Sequence, residues 1–516
     1  MTSKIEEAKN LFELGLYFFE EENFSKAEEQ FKAALELLPD RPSILVNLSA
    51  TLVHLGKWDD CEKICQKILN IDPVNYDAFL NLGVCLSHSD KPSEALQFLD
   101  KAIELNPHSA QAWINKGNIL QEIQEFEQAE DCFEKALRLN PQSQEALIGR
   151  GNLRNELKEY ESALDDFNAA LEYDPSNAQA KWNKALSLLR LGNFEEGWKL
   201  YEARWQVPGM REHQRHFNAP LWLGKESLQN KTILIHAEQG YGDAIQFSRY
   251  IPLLESLGAE VILETPKPLM QLMRTLSDTI TIIESSTISA QNIEAHIDFH
   301  CPIMSLALAF NTTLDSIPNH APYLSADEIK RNFWRSRLAE ISRKTGANKK
   351  PFRIGITWSG SGHYAGKKNL KRDVSSGEIV DLINCFEGKN IEFHSLQTED
   401  HRNQDIHKLV TAGFYSHTQH LKDFSDSAAL MAGLDLIISI DTATAHLAGA
   451  LNLPTLLLIP DPPDFMALIS GNKTPWYPST RLLRQKSAGD WTHPLNRVKN
   501  LIGTLDSCND LEILYE

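Results

Sequence analysis

Five prolines, Pro39, Pro73, Pro107, Pro141 and Pro175, recur every 34 residues, and that beat confines the first two-fifths of the chain to a repeated unit. Other columns keep it. An aromatic stands at Phe24, Trp58, Phe126, Tyr160 and Phe194, with Pro92 the exception. Small residues stand at Gly15, Ser49, Gly83, Gly117, Gly151 and Ala185, and again at Ala27, Cys61, Ala95, Ala129, Ala163 and Gly197. Small residues suit helix crossings, and a proline suits a helix end because it lacks the N–H that continues the ladder. Apolar residues inside a unit recur at i, i+3, i+4 and i+7, as in Ala129, Cys132, Phe133 and Ala136, which is the stripe of an amphipathic helix. A helix pair of this size cannot bury its stripe alone, so neighbours must stack.

A 34-residue helix pair with these columns resembles the tetratricopeptide repeat. Six units run from about Ile5 to Arg204, and the expected fold there is an α-superhelix with a concave partner-binding face. One polar column also keeps the beat: Asn47, Asn81, Asn115 and Asn183, with Gly149 interrupting and Glu13 in its place in the first unit. A primary amide both donates and accepts, so a row of amides suits an extended peptide backbone; the alternative is that these asparagines bridge neighbouring helices. A similar asparagine ladder lines the repeats with which the cytosolic O-GlcNAc transferases hold protein substrates. That resemblance implies a polypeptide on this column.

Composition narrows the partners. At 516 residues the chain exceeds one core, and a net charge of −19 repels phosphate backbones, so nucleic acid is not an expected partner. The N-terminus MTSKIEEAKN has no signal architecture and no apolar stretch approaches the 18 residues a membrane helix needs, so a cytoplasmic protein without stable membrane insertion is expected. Seven cysteines without a CxxC pair fit a reducing compartment. Cys61 and Cys65 occupy core columns of the repeat and are read as packing. The Arg211, His213, Arg215 and His216 group, in a joint punctuated by Pro208, Gly209 and Pro220, lacks the framing of a metal site.

From Thr232 the pattern changes to short apolar runs alternating with helical segments, which argues for parallel α/β layers. The first set comprises Thr232–His236, Glu260–Leu263, Thr279–Ile283 and Ala295–Phe299, with a helix from Ala244 to Leu257. After a charged helix near Asn332–Arg343, a second set comprises Phe352–Trp358, Glu392–Leu396, Leu436–Ile440 and Thr455–Ile459. Ligands of such sheets sit at the carboxyl ends of strands. The loops there hold the polar residues: Glu238-Gln-Gly-Tyr-Gly-Asp243 after the first strand, Ser359-Gly-Ser-Gly362 followed by Lys367, Lys368, Lys371 and Arg372, and Asp441-Thr-Ala-Thr-Ala-His446. A helix N-terminus with a cap hydroxyl and nearby cations suits a phosphate or diphosphate, although Asp441 also has the character of an ordinary N-cap.

The stretch Ser439-Ile-Asp-Thr-Ala-Thr-Ala-His-Leu-Ala-Gly-Ala-Leu451 resembles the donor-site motif of the family 9 glycosyltransferases, the bacterial heptosyltransferases, as does Asp423-Phe-Ser-Asp426. With Gly242-Asp243, Trp358-Ser-Gly360 and Pro475-Trp-Tyr-Pro478, the chain is similar to bacterial proteins that fuse tetratricopeptide repeats to such a domain, some of which modify flagellin. The resemblance implies a GT-B fold of two Rossmann-like halves: a superhelix over 1–207, a joint over 208–231, an acceptor-side half over 232–330, and a nucleotide-sugar half over 331–516 with a closing C-terminal helix. It implies Asp243 as catalytic base. Donor contacts fall on Trp358, Ser359, Gly360, Gln397, Asp423, Asp441, Thr442, Ala443 and His446, and the phosphate-binding cation on Lys371 or Arg372. His300 either assists near the acceptor or is structural. The segment Pro463-Asp-Phe-Met-Ala-Leu468 lacks an aromatic usual in the family.

No Asp-x-Asp occurs in the sequence, so a metal-bridged diphosphate is not expected, and neither is a bound cofactor beyond the nucleotide-sugar co-substrate. The expected activity is transfer of a sugar to Ser or Thr of a protein held by the repeats, flagellin among the candidates. The alternatives are a repeat adaptor with a degenerate transferase domain, and a transferase acting on a lipid-linked surface glycan; an acidic surface and the lack of a basic amphipathic helix weigh against the latter.

Overall fold

The computed structural model describes all residues except 1, 90, 286–296, 345–348, 361–362, 365–366, 369–371, 398–402 and 505–516. The chain divides into two compact units, Met1–Lys184 and Ala185–Glu516.

The N-terminal part is built from helix pairs: α1 (Thr2–Glu20), α2 (Phe24–Leu37), α3 (Pro42–His54), α4 (Trp58–Ile71), α5 (Tyr76–His88), α6 (Pro92–Leu105), α7 (Ala110–Glu122), α8 (Phe126–Leu139), α9 (Gln144–Glu156), α10 (Tyr160–Tyr173), α11 (Ala178–Arg190) and α12 (Phe194–Tyr201). The aromatic column opens the second helix of each pair, and Pro92 fits it because a proline needs no N–H at the first turn. Each periodic proline lies two residues past a helix end, as Pro39 does after Leu37.

The small column has a steric cause. A Cβ on Gly15 would stand 2.5 Å from the Phe31 ring, one on Gly83 2.5 Å from Leu99, and one on Gly151 2.6 Å from Phe167. Each glycine thus receives the bulky side chain sixteen positions on. Phe133 is fully buried and enters two such gaps, at Gly117 of its own pair and Gly149 of the next. Gly149 interrupts the asparagine column because that ring passes there. The side chains of Cys61 and Cys65 are buried, with sulfurs 3.9 Å apart, and burial helps hold both thiols above the usual range.

The second unit contains two parallel sheets. The first runs in the order β3-β2-β1-β4, with β1 (Lys231–His236), β2 (Ala259–Thr265), β3 (Thr281–Glu284) and β4 (Phe299–Pro302). The second runs β12-β11-β10-β5-β8-β9, with β5 (Phe352–Thr357), β8 (Ile391–Ser395), β9 (Phe414–Tyr415), β10 (Leu436–Ile440), β11 (Thr455–Ile459) and β12 (Thr480–Arg484). Between β5 and β8, β6 (His363–Tyr364) and β7 (Lys367–Lys368) form a small antiparallel pair. β10 and β11 are buried along their whole length, as strands covered on both faces should be.

Three differences from the sequence reading have local causes. The helix expected over Ala244–Leu257 is divided into Tyr241–Phe247, a 3₁₀ turn at Ser248–Tyr250, and Ile251–Ser256. Pro252 lacks the N–H to continue the ladder and its ring crowds the preceding turn. The fourth strand of the first sheet lies at Phe299–Pro302, later than the expected Ala295–Phe299, whose first two residues lie outside the described ones. β9 and β12 went unread: β9 has two residues, and Arg481 and Arg484 break the apolar run of β12.

Replacing Phe133 by Ala removes a ring shared by two helix pairs. We expect a loss of about 3–5 kcal/mol, read as a lowered urea midpoint for the helical transition followed by circular dichroism.

Candidate functional site

β1 and β10 are the central parallel strands of their sheets, and each runs into a loop that starts a helix. After β1, the loop Ala237–Gly240 leads to the helix Tyr241–Phe247; after β10, Asp441 and Thr442 lead to the helix Ala443–Ala450. These two helix starts touch. A Cβ on Gly242 would stand 2.8 Å from His446 Cδ2, 3.4 Å from His446 Nε2 and 3.6 Å from Ala443 Cα. Only hydrogen fits there, so Gly242 answers to the approach of the second helix.

Asp243 sits half-buried at the third position of its helix and accepts a hydrogen bond from Gly240 N at 3.0 Å. Its carboxyl is pushed up to about 7 by desolvation, with Asp464, Glu238 and Asp441 adding to the rise and the Gly240 amide opposing it. Asp441, at the tip of β10, is raised by burial and lowered by Arg372. Its Oδ1 lies 4.0 Å from His446 Nε2. Burial pushes His446 down to about 3, with Arg249 and Arg372 assisting, so the ring is neutral at ordinary pH. Asp464 is open to solvent, yet desolvation and the charge of Asp441 still move it upward. Several carboxylates therefore crowd one crevice, and each hinders ionisation of the next.

Arg372 acts on Asp441, His446 and Asp464 alike, and its guanidinium carbon lies 4.0 Å from where a Cβ on Gly360 would be. Its Nε is buried and has no hydrogen-bond partner among the described residues. A buried guanidinium donor without an acceptor calls for an anionic one. Lys371, the other expected cation, lies outside the described residues. Thr442 precedes the helix Ala443–Ala450 in an extended conformation and offers its first amides no side-chain acceptor; its Oγ1 instead donates to Ile440 O at 3.3 Å.

The remaining sequence-derived residues divide. Ser359 and Gly360 are held by Asp373: Ser359 Oγ donates to it at 2.8 Å and Gly360 N at 3.2 Å. Gln397 Oε1 accepts from Ser359 N at 3.4 Å, which ties Gln397 to that loop. A Cβ on Gly360 would stand 3.4 Å from Thr442 Cγ2, so this loop borders the Asp441 group. Trp358 is spent on packing, edge-on to Phe414 in the core of the second sheet. Asp423 caps the helix Phe424–Met431 through Asp426 N and pairs with Lys330 at 2.9 Å. His300 stands on β4 with its Nδ1 3.4 Å from His236 Nε2 and its ring on Phe217; burial and Arg215 push it down to about 4.

Two groups escaped the sequence reading. Arg204 is fully buried and grips Glu238 through Nε and Nη2 with two hydrogen bonds of 2.9 Å, while Nη2 also donates to Ser305 Oγ at 2.8 Å and Nη1 to Glu202 at 2.7 Å. This fixes the loop that leads into the helix carrying Asp243, and Gln239 Nε2 adds a hydrogen bond to Tyr201 Oη at 2.9 Å. Thus α12, by sequence the last repeat helix, belongs to the second unit and helps hold the crevice loop. The other is Asp464, within a segment noted for the aromatic it lacks. The charged helix expected near Asn332–Arg343 is Glu328–Lys344, which carries Lys330, Arg331, Arg335, Arg337, Arg343 and Lys344 with Ile329 and Phe333 exposed.

In the repeats, Asn81 Nδ2 donates to Ser49 Oγ at 2.8 Å, and Asn183 Nδ2 to Asn152 Oδ1 at 2.7 Å; both bridge to the preceding pair. Asn47 returns to Ser43 O on its own helix at 2.8 Å. Asn115, bonded by Gln111 at 3.1 Å, lines a groove of about 360 Å³ with Ser87, His88, Asn118, Gln121, Glu122 and Glu156 on α5, α7 and α9.

Tetratricopeptide repeat families match residues 18–83, 76–109, 110–143 and 159–206. The N-terminal helical part therefore consists of tetratricopeptide repeats, a partner-binding architecture. The chain is 26% identical over 352 residues to Protein FlbA of Caulobacter vibrioides, covering 62% of this chain and 54% of that one. It thus spans about half the length of the curated relative it matches. Two solved structures are similar over the repeats. A thermophilic TPR protein of Thermus thermophilus is 21% identical with a TM-score of 0.34, over 35% of this chain and 99% of its own. PilF of Pseudomonas aeruginosa is 23% identical with a TM-score of 0.32, over 41% and 98%. No helix among the described residues is long and apolar enough to cross a membrane.

The raised carboxyl of Asp243 has a thermodynamic consequence. Folded, it keeps its proton up to about 7, whereas the unfolded chain releases it near 3.8. The folded state then binds more protons over that interval, so the Asp243 contribution to stability falls as pH rises through it and is level above. Asp243→Asn cannot ionise. Relative to the parent, its urea midpoint should rise between pH 5 and pH 8; a difference flat across that range contradicts the raised carboxyl.

Proposed function

We propose that this chain is a protein glycosyltransferase: the repeats capture a polypeptide, and the crevice between the two sheets moves a sugar onto it from a nucleotide-activated donor. The observation that carries the proposal is the meeting of two strand tips. One presents Asp243, a carboxyl poised near neutrality; the other presents an uncapped helix start beside Arg372. The first supplies a base, and the second a seat for an anion.

In this reading Asp243 takes the proton from a Ser or Thr hydroxyl as its oxygen attacks the anomeric carbon of the donor. The bond from that carbon to the phosphate oxygen breaks, and the nucleoside diphosphate leaves with the electron pair. Arg372 and the amides opening the helix at Ala443 stabilise the charge that develops on it. A base near 7 is divided between its two forms at neutral pH, so the transfer rate should rise with pH through that value. The motif resemblance supports a flagellin as acceptor. The groove at Asn115 is the proposed seat of the captured segment, because Asn81 and Asn183 are engaged between repeats.

The test uses the full chain with a panel of nucleotide sugars and a flagellin, read as a mass increase on the acceptor. Asp243→Asn should lower transfer by about 10²–10⁴ while a nucleotide sugar still raises the melting temperature. Unchanged transfer removes Asp243 as base. No mass increase together with no thermal shift from any nucleotide sugar removes the enzymatic reading and leaves a repeat adaptor.

A further inference from the structure

The last helix pair of the repeats is joined to the crevice by a cluster of aromatic rings. The division between the two compact units falls inside α11, after Lys184, so the end of that helix packs with the sheets. There Leu189 fills the space beside Gly197 of α12, where a Cβ would meet it at 2.7 Å. From α12, Trp198 meets Phe247 and Phe465 edge-on, each at 5.6 Å, while Phe194 lies 5.7 Å from Trp476. All five rings are buried. Phe247 ends the helix that carries Asp243, and Phe465 follows Asp464, donating its amide to that carboxylate. Aromatic pairs of this geometry stabilise beyond the area they bury, so the end of α11 has a set place beside the crevice carboxyls.

Arg190 is the last residue of α11. Its charge reaches the crevice. Burial and Asp441 push the Asp464 carboxyl up, and of the two guanidiniums that oppose this, Arg190 acts more strongly than Arg372. A cation at a helix C-terminus is favoured by the dipole alone, but that role is served with the head group in water. The Nε of Arg190 is instead buried and has no hydrogen-bond partner among the described residues, and the Nε of Arg372 is in the same condition. Asp464 is not the missing acceptor, since neither Nε bonds to it. Two guanidiniums therefore act on one carboxylate, each with a buried donor left over. A ligand that offers anionic oxygens to both would satisfy them, and the arginine fork matches a phosphate.

We propose that Arg190 is a second anion-binding residue of the crevice, supplied by the last repeat helix pair, and that it shares with Arg372 a ligand bearing two adjacent anionic groups, a diphosphate. That this diphosphate belongs to a sugar donor rests on the function proposed above; the pairing of the two arginines does not. A diphosphate spreads its charge over oxygens on two phosphorus atoms, so each guanidinium can take its own phosphate. The ligand site is then completed by the end of the repeats, and the sheets without α11 would hold only one of its two cations.

Calorimetry with inorganic pyrophosphate on the full chain tests this, together with nitrogen-15 arginine labelling observed at Nε. The Arg190 and Arg372 signals are identified by their loss in Arg190→Lys and Arg372→Lys. Pyrophosphate should move both signals in the parent chain. Arg190→Gln and Arg372→Gln should each weaken pyrophosphate binding about ten- to a hundredfold, as loss of a hydrogen bond to a charged group does, without lowering the melting temperature of the unliganded chain. Arg190→Lys keeps the charge and loses the fork, so it should recover part of the loss. An Arg190 signal unmoved at saturating pyrophosphate overturns the proposal. So does full affinity in Arg190→Gln beside weakened binding in Arg372→Gln; either result leaves the proposed function with Arg372 as its cation. Pyrophosphate held through both arginines, with no binding of ADP, GDP or UDP, upholds the pairing and removes the nucleotide reading. Failure of pyrophosphate and all three nucleotides to bind removes both.

Discussion

Two helix starts come together at Gly242 and His446 with room for hydrogen and nothing larger. The arrangement of the second unit depends on that contact. It places the tip of β1 against the tip of β10, and so sets carboxylates from two sheets in one crevice. The approach is braced behind His446 by Tyr477 and Arg249 and behind the β1 loop by the fork from Arg204 to Glu238. A buried ion pair such as Arg204–Glu238 contributes little net stability, but it costs heavily to break. Its effect here is to define a loop position.

The electrostatics follow from that geometry. Asp243, Asp441 and Asp464 are all displaced upward, chiefly by desolvation, and Arg372 opposes the rise at Asp441 and Asp464. His446 is moved the other way by burial and by two arginines, which keeps it uncharged. A crevice with a base near neutrality and an arginine whose buried Nε has no hydrogen-bond partner among the described residues favours a ligand that brings its own negative charge. The repeats bring a different chemistry, a groove on α5, α7 and α9 lined by the amides of Asn115, Asn118 and Gln121 and the carboxylates of Glu122 and Glu156.

Much of this was legible in the residues. The repeat was written in its columns, since the prolines mark helix ends, the aromatic column marks helix starts, and the glycines mark where the next bulky side chain enters. β10 and β11 were readable to the residue because fully buried parallel strands are continuous apolar runs. What could not be read has local causes in two places and depends on long-range packing in the rest. Pro252 divided a helix whose apolar pattern runs on, and β12 hides among arginines. Asn81 and Asn183 share a column with Asn115 but bond to Ser49 and Asn152 of the preceding pair, contacts that a column by itself does not reveal. Asp464 and Tyr477 matter through what they face, and a sequence carries no direction for a side chain.

Amide hydrogen exchange on the full chain, with and without ADP, GDP, UDP and their sugar conjugates, addresses the central claim most directly. The account predicts slowed exchange confined to the loop and helix start at 239–243 and to the helix start at 441–446, brought about by at least one of these compounds. Exchange unchanged in both segments, or slowed only elsewhere in the chain, would contradict it.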